Sequence, residues 1–306
     1  MLIVTRLDYP RTVGAATKPD RLTVSWPPGN GGILVCGGVF LLIRGIYTAA
    51  AGAMVAEAMV DNVSNNLANS STNGFKRTLL QIESQPTRQL YRFQTDPGQN
   101  PDNRLPGVSA QDPIGPLGSG SDVYATPTNY EQGQIAINGN SYSFALSGPG
   151  FFAVQDPTTG QITYTRDGSF MRAADGTLAT VDGKSVLNPG GQSIVMPAIG
   201  KVEVGTDGVV NVDGATSAQI GVFEFNNVQA LQPQGATGFL APQAAGIHAA
   251  TQTSVLQYSE EKSNGDVVSS IVDLINAERW FDANEKSIST EDDATNQAIS
   301  VVGHNQ

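Results

Sequence analysis

The chain has 306 residues, is 40% apolar and 7% aromatic, and carries a net charge of −11. That is enough material for two or three domains with a buried core, while the acidic balance and the lack of clustered Lys and Arg exclude a nucleic-acid surface. One cysteine (Cys36) and two histidines (His248 and His304) exclude an intrachain disulfide and a cysteine-based metal site, and leave little for a His-based triad or metal site. We therefore expect no catalytic, cofactor-binding or metal-binding residues and no small-molecule substrate.

Residues 1–41 begin the chain with mixed composition. Within them and just beyond, Gly31–Ile43 is an apolar run of thirteen residues, too short to span a bilayer. It lies too far from residue 1 to read well as a signal peptide. Residues 1–41 are expected to be a non-native leader, from a start site assigned too early, and the protein is expected not to span a membrane.

From residue 42 the pattern becomes regular. Leu42, Ile46, Ala49, Ala53, Ala56, Val60, Val63 and Leu67 alternate spacings of four and three, and all are apolar. This is the heptad stripe of a helix that packs on other helices. It predicts a helix over 42–69, about 42 Å long, rich in alanine and ended by Asn69-Ser70-Ser71-Thr72-Asn73-Gly74. Residues 42–77 form the first part of an inner helical domain.

Residues 78–133 carry many prolines and glycines and read as an extended connector. Residues 134–259 change to strand character. Asp-Gly recurs at 167–168, 175–176, 182–183, 207–208 and 213–214. Flanked by Val, Leu, Thr and Phe, these pairs predict type I′ hairpins in a compact antiparallel β-domain. Residues 260–306 return to helix. Ser263-Asn264-Gly265-Asp266 supplies capping oxygens, with Asp266 near the positive end of the helix dipole. Val267, Leu274, Phe281, Ile288 and Val302 recur every seven residues, with Thr295 the polar gap. Ile271 belongs to the wide apolar start, whereas Glu278, Glu285 and Asp292 are expected in the second column of the stripe. The fold class is α+β: N- and C-terminal helices paired as a coiled-coil layer, with a central antiparallel β-domain.

Several motifs point to one family. Asn65-Asn66-Leu67-Ala68-Asn69-Ser70-Ser71-Thr72-Asn73-Gly74-Phe75-Lys76-Arg77, after Ile43-Arg44-Gly45-Ile46-Tyr47-Thr48-Ala49-Ala50-Ala51-Gly52-Ala53-Met54, closely resembles the N-terminal signature of bacterial flagellar rod and hook proteins. Gly148-Pro149-Gly150-Phe151-Phe152-Ala153-Val154 and Tyr164-Thr165-Arg166-Asp167-Gly168-Ser169-Phe170 resemble the family's central β-domain. Ser263–Val268 and Glu278–Lys286 resemble its C-terminal helix, although Gly265, Asp266 and Trp280 depart from the usual pattern. The resemblance spans residues 42–303. Ile114–Gly120 and Asp292–Ala298 look more like subunits of the proximal rod than of the distal rod.

The resemblance implies a structural subunit of the flagellar basal-body rod, not an enzyme. Such subunits join head to tail into a hollow helical tube that crosses the periplasm and transmits torque. They leave the cell by the flagellar type III export route, without a cleaved secretory signal. The implied partners are other copies of the chain and neighbouring rod subunits. The assembly residues it implies are those of the two stripes, with Asn69, Gly74, Phe75 and Lys76 of the signature. A distal rod subunit is the alternative within the family. A secreted β-rich adhesin is the alternative outside it, but would leave the paired terminal heptads unexplained.

Overall fold

The computed structural model describes residues 32–91, 113–118, 120–197 and 199–303, and side chains for 45–87, 118, 120–197 and 199–300. The remainder of the expected leader, residues 1–31, lies outside the described residues. So do the side chains of Leu42 and Val302. Two long helices bracket a β-rich middle: α1 spans Gly32–Ala68 and α2 spans Val267–Gly303. Helical backbone thus begins ahead of Leu42. Among the described residues no helix is long and apolar enough to cross a membrane.

The helices lie against each other, and two close approaches give their direction. A Cβ built on Gly45 would meet the Glu291 carboxylate, and one on Gly52 would meet the Asn284 amide. Seven residues forward on α1 are seven back on α2, so the pair is antiparallel. Except for Ala294, every buried or half-buried position of α2 falls on one series: Ser270, Leu274, Ala277, Asn284, Ile288, Glu291, Thr295 and Ala298. Phe281, 37% exposed, fills its gap. The spacings alternate four and three, so one stripe faces α1.

This stripe differs from the expected one in its second column. The column of Leu274, Phe281 and Ile288 is as expected, but its companion lies three residues on, at Ala277, Asn284 and Glu291. Glu278, Glu285 and Asp292 are exposed. The reason is steric: glycine on α1 opens room for Asn284 and Glu291 side chains, and Ala277 is wholly buried. Period alone placed Glu278, Glu285 and Asp292 in the stripe, and local space overruled it.

The stretch after α1 is more ordered than its composition suggests. Gln81–Ser84 pairs antiparallel with Ser121–Ala125, and Arg88–Tyr91 pairs with Pro113–Leu117. The first pair runs along α1, where Gly120 approaches Ala51. Pairing across some thirty residues leaves no local periodicity to read, and proline is tolerated here because each ladder has only two strands.

The central domain is antiparallel throughout. Phe151–Gln155 is its hub, pairing with Ile162–Thr165, Ser185–Val186 and Val222–Phe225. Because successive strand side chains point to opposite faces, Phe152 and Val154 join one core with Phe144, Phe170, Leu178 and Ile194, while Phe151 joins another with Phe225, Leu231 and Phe239. A three-stranded sheet, Val202–Val204, Val209–Val212 and Ala215–Gln219, closes over the first core through Val202 and Val210.

The Asp-Gly turns correct a second expectation. Only Asp213-Gly214 has positive φ at both residues, 51° and 85°, as a type I′ turn demands. At Gly176, Gly183 and Gly208 the glycine alone is left-handed. It closes a three-residue loop by donating its N–H to the carbonyl of Ala173, Thr180 or Gly205. Asp175 and Asp207 also accept the N–H two residues on. The dipeptide marks a turn in these four cases, and the strand ends on either side decide its length; Asp167-Gly168 closes no hairpin, since Gly168 lacks a positive φ and the strands it joins, Ile162–Thr165 and Phe170–Arg172, pair with other strands.

Candidate functional site

Three distant parts of the chain meet where the helices join the β-domain. The signature after α1 supplies Asn73–Thr78, the strand Ser259–Glu261 and its sequel to Asn264 lead into α2, and the β-domain supplies Glu131–Gly133 and Arg166–Ser169. At the centre Lys76 Nζ lies 2.6 Å from Glu261 Oε1, and Arg166 Nη1 lies 3.2 Å from Glu261 Oε2. All three side chains are buried. Lys76 also donates to the Glu131 carbonyl at 2.7 Å, Gly133 N–H donates to Glu261 Oε1 at 2.8 Å, and Arg166 Nη2 donates to the Gly148 carbonyl at 2.6 Å. The Arg166 guanidinium rests 4.8 Å from the Phe151 ring centre, within cation–π range.

One anion here serves two cations. Burial lowers the Lys76 pKa, opposed by the Glu261 charge and hydrogen bond. Arg166 is likewise lowered by burial and supported by Glu261. The short Lys76–Glu261 contact and the lowered lysine pKa pull in opposite senses. Removal from water outweighs half-shares of a single carboxylate, and the lysine pKa falls. Asp167 next door is raised, chiefly by burial and with the like charges of Glu260 and Asp182 adding to it.

Amides complete the junction. Asn264 Oδ1 accepts from Arg77 N–H at 2.8 Å, and its Nδ2 donates to the carbonyls of Asn129 and Glu131. Asn66 holds Thr78 by both backbone groups, accepting its N–H at 2.9 Å and donating to its carbonyl at 2.8 Å. Asn73 donates to Ser169 and Glu260 and accepts from Lys262. Gly74 donates to the Glu261 carbonyl at 2.7 Å. Its φ of 69° and a position where a Cβ would sit 2.2 Å from Asp167 N leave no room for another residue. Asp266 caps α2 by accepting from Ser269 N–H at 3.1 Å, as its place in the sequence suggests.

The expected assembly residues divide into groups. Ala49 and Ala56 are buried, and Val63 is half-buried, on the α1 stripe that also carries Gly45 and Gly52. Ile46, Ala53, Val60 and Leu67 are half-buried. Val267 and Ile271, each 43% exposed, face solvent; Leu274, Phe281 and Ile288 face α1. Asn69 donates within its own turn to the Asn65 carbonyl. Gly74, Phe75 and Lys76 are buried inside the subunit, with the Gly74 N–H and the Lys76 ammonium bonded within the junction. Sequence reasoning passed over Glu261 and Arg166. A charge inside the β-type run Tyr164–Phe170, and another next to Glu260, were the available signals, but neither names its partner. Among the described residues no group of His, Cys, Asp and Glu could hold a metal ion.

A β-core bracketed by two terminal helices and locked at the base by a buried polar junction has the make-up of a structural subunit. Comparison with known proteins gives the family. The family described as flagellar hook protein FlgE/F/G D1 domain matches residues 145–212, and the flagellar basal body rod FlgEFG protein C-terminal family matches 256–301. The flagellar basal-body rod protein FlgG of Buchnera aphidicola subsp. Schizaphis graminum is 32% identical over 265 residues, covering 82% of this chain and 96% of that protein. FlgG of Bacillus subtilis is 29% identical, with 85% and 99% covered. FlgF of Caulobacter vibrioides is 27% identical, with 84% and 97% covered. The chain belongs to the flagellar basal-body rod protein family. It is a structural component of the basal body, where rod subunits assemble with one another, and not an enzyme.

Proposed function

We propose that this chain polymerises head to tail into a hollow helical tube in the periplasmic rod and transmits torque along it. In this reading α1 and α2 form a coiled-coil inner layer, the β-domain lies outside, and neighbouring copies and other rod subunits are the partners. The carrying observation is that the antiparallel helix pair leaves apolar side chains uncovered on its outer faces, among them Tyr47, Met54, Val267, Val268, Ile271 and Val272. Burying one such Val or Ile side chain stabilises a contact by roughly 1.5–3 kcal/mol. Head-to-tail contacts give an open helix, not a closed ring.

Relatives of both kinds, FlgG and FlgF, are matched at similar identity. Placement in the proximal rod is therefore supported by the resemblance of Ile114–Gly120 and Asp292–Ala298 alone. Export without a cleaved signal belongs to the same reading. Deletion of the gene and imaging of basal bodies is the test. Basal bodies ending before the distal rod are expected; complete rods with hooks would overturn the function, and loss confined to the distal segment would overturn the placement.

A further inference from the structure

The outer face of α2 changes character along its length. Turned away from α1, it begins with Val268, Val272 and Ile275, all exposed, and continues with the exposed cations Arg279 and Lys286. The free face of α1 has matching chemistry. Val60 and Leu67 form half-covered apolar positions toward the β-domain end, and the exposed acids Glu57 and Asp61 stand beside them. None of these four charges takes part in an ion pair among the described residues. Even Asp282 and Lys286, placed for an ordinary i,i+4 pair, make none.

The heights agree as well. Gly52 lies opposite Asn284; five residues on from Gly52 is Glu57, and five back from Asn284 is Arg279. Within one subunit the two project away from the seam. In a neighbour standing alongside they are level. An axial offset of about 8 Å, near one and a half helical turns, sets Asp61 toward Arg279 and Glu57 toward Lys286 together. At that offset Leu67 comes level with Ile275 and within a turn of Val272, nearest the β-domain, while Val268 runs past the end of α1 at Ala68.

We propose that the outer face of α2 docks the free face of α1 from a second copy, with apolar contact at the β-domain end and Arg279 and Lys286 against Glu57 and Asp61 beyond it. This rests on the reading that the chain polymerises. The contact joins unlike surfaces, so it repeats without closing, and the charges fix orientation more than they add affinity.

The test uses the full chain, with polymer followed by sedimentation and negative-stain imaging. R279E/K286E is expected to raise the critical concentration at least tenfold, and adding E57K/D61K to the same chain to restore it. V272S/I275S is expected to weaken polymer whatever the salt concentration. All six positions are exposed, so thermal midpoints of the monomers should match wild type. Polymer from R279E/K286E at the wild-type critical concentration, or loss that E57K/D61K fails to restore, overturns the contact while leaving polymerisation intact. Failure of wild type to polymerise overturns the reading on which it rests.

Discussion

Glu261 is the single anion between two buried cations, and that makes its neighbours unequal. Glu261→Gln leaves Lys76 and Arg166 without counter-charge in a site sealed from water. Breaking a buried pair in this way costs about 3–5 kcal/mol. Lys76→Met leaves the Glu261–Arg166 pair neutral and removes a lysine whose burial already lowers its pKa. Its loss is limited to the hydrogen bond to the Glu131 carbonyl and part of the Glu261 interaction, so the net should lie within about 1 kcal/mol of wild type. In the Glu261→Gln background Lys76→Met should become stabilising, by about 2 kcal/mol, because it then removes an uncompensated charge. Urea unfolding at pH 7, followed by far-ultraviolet circular dichroism, reads all four proteins. With a slope of roughly 1–3 kcal/mol/M, Glu261→Gln should lower the midpoint by at least about 1 M. Equal losses for the two single variants, or no change of sign in the double variant, would refute the shared-anion account.

Asp167→Asn keeps an oxygen for the Ser169 N–H and removes a buried charge, so it should raise the unfolding midpoint at pH 7. The folded pKa of Asp167 is raised, so the native state favours the protonated form. The variant's advantage should be present above that pKa and fade as pH falls toward the unfolded value; an advantage that grows in acid contradicts the assignment. Gly74→Ala should cost at least about 2 kcal/mol, since alanine is strained at positive φ and its Cβ would strike Asp167 N. A midpoint unchanged from wild type would show that the junction yields. Ala277→Leu, in the sealed part of the helix seam, should cost about 1–3 kcal/mol. Ile271→Ser, on the exposed side, should stay within about 0.5 kcal/mol in the monomer. Comparable effects from the two would place the seam elsewhere.

Much of the architecture was legible in the residues. The Leu274, Phe281 and Ile288 column, the Asp266 cap, the β-type runs and the turns at four of the five Asp-Gly pairs are local signals, written within a few residues of where they act. The paired strands Gln81–Ser84 and Ser121–Ala125 were not legible, because a ladder across a long intervening segment leaves no period in either strand. Nor was the junction. Lys76, Arg166 and Glu261 are separated by about 90 residues at each step, and each charge alone is consistent with a solvated surface. Gly74, Phe75 and Lys76 stood out as a signature, but only their burial shows that they work inside the subunit.

Sequence by itself determined that this protein ends in two amphipathic helices around a glycine-turned β-domain, since periodicity and turn chemistry follow from the backbone's own geometry. Tertiary structure decided which side of each helix meets the other. Leu274, Phe281 and Ile288 define a column from either side equally well. The choice of Ala277, Asn284 and Glu291 as its companion, over Glu278, Glu285 and Asp292, depends on the space left by Gly45 and Gly52 on a helix more than two hundred residues away. Steric room and buried charge are properties of places in space, and they come into being only when distant segments are brought together.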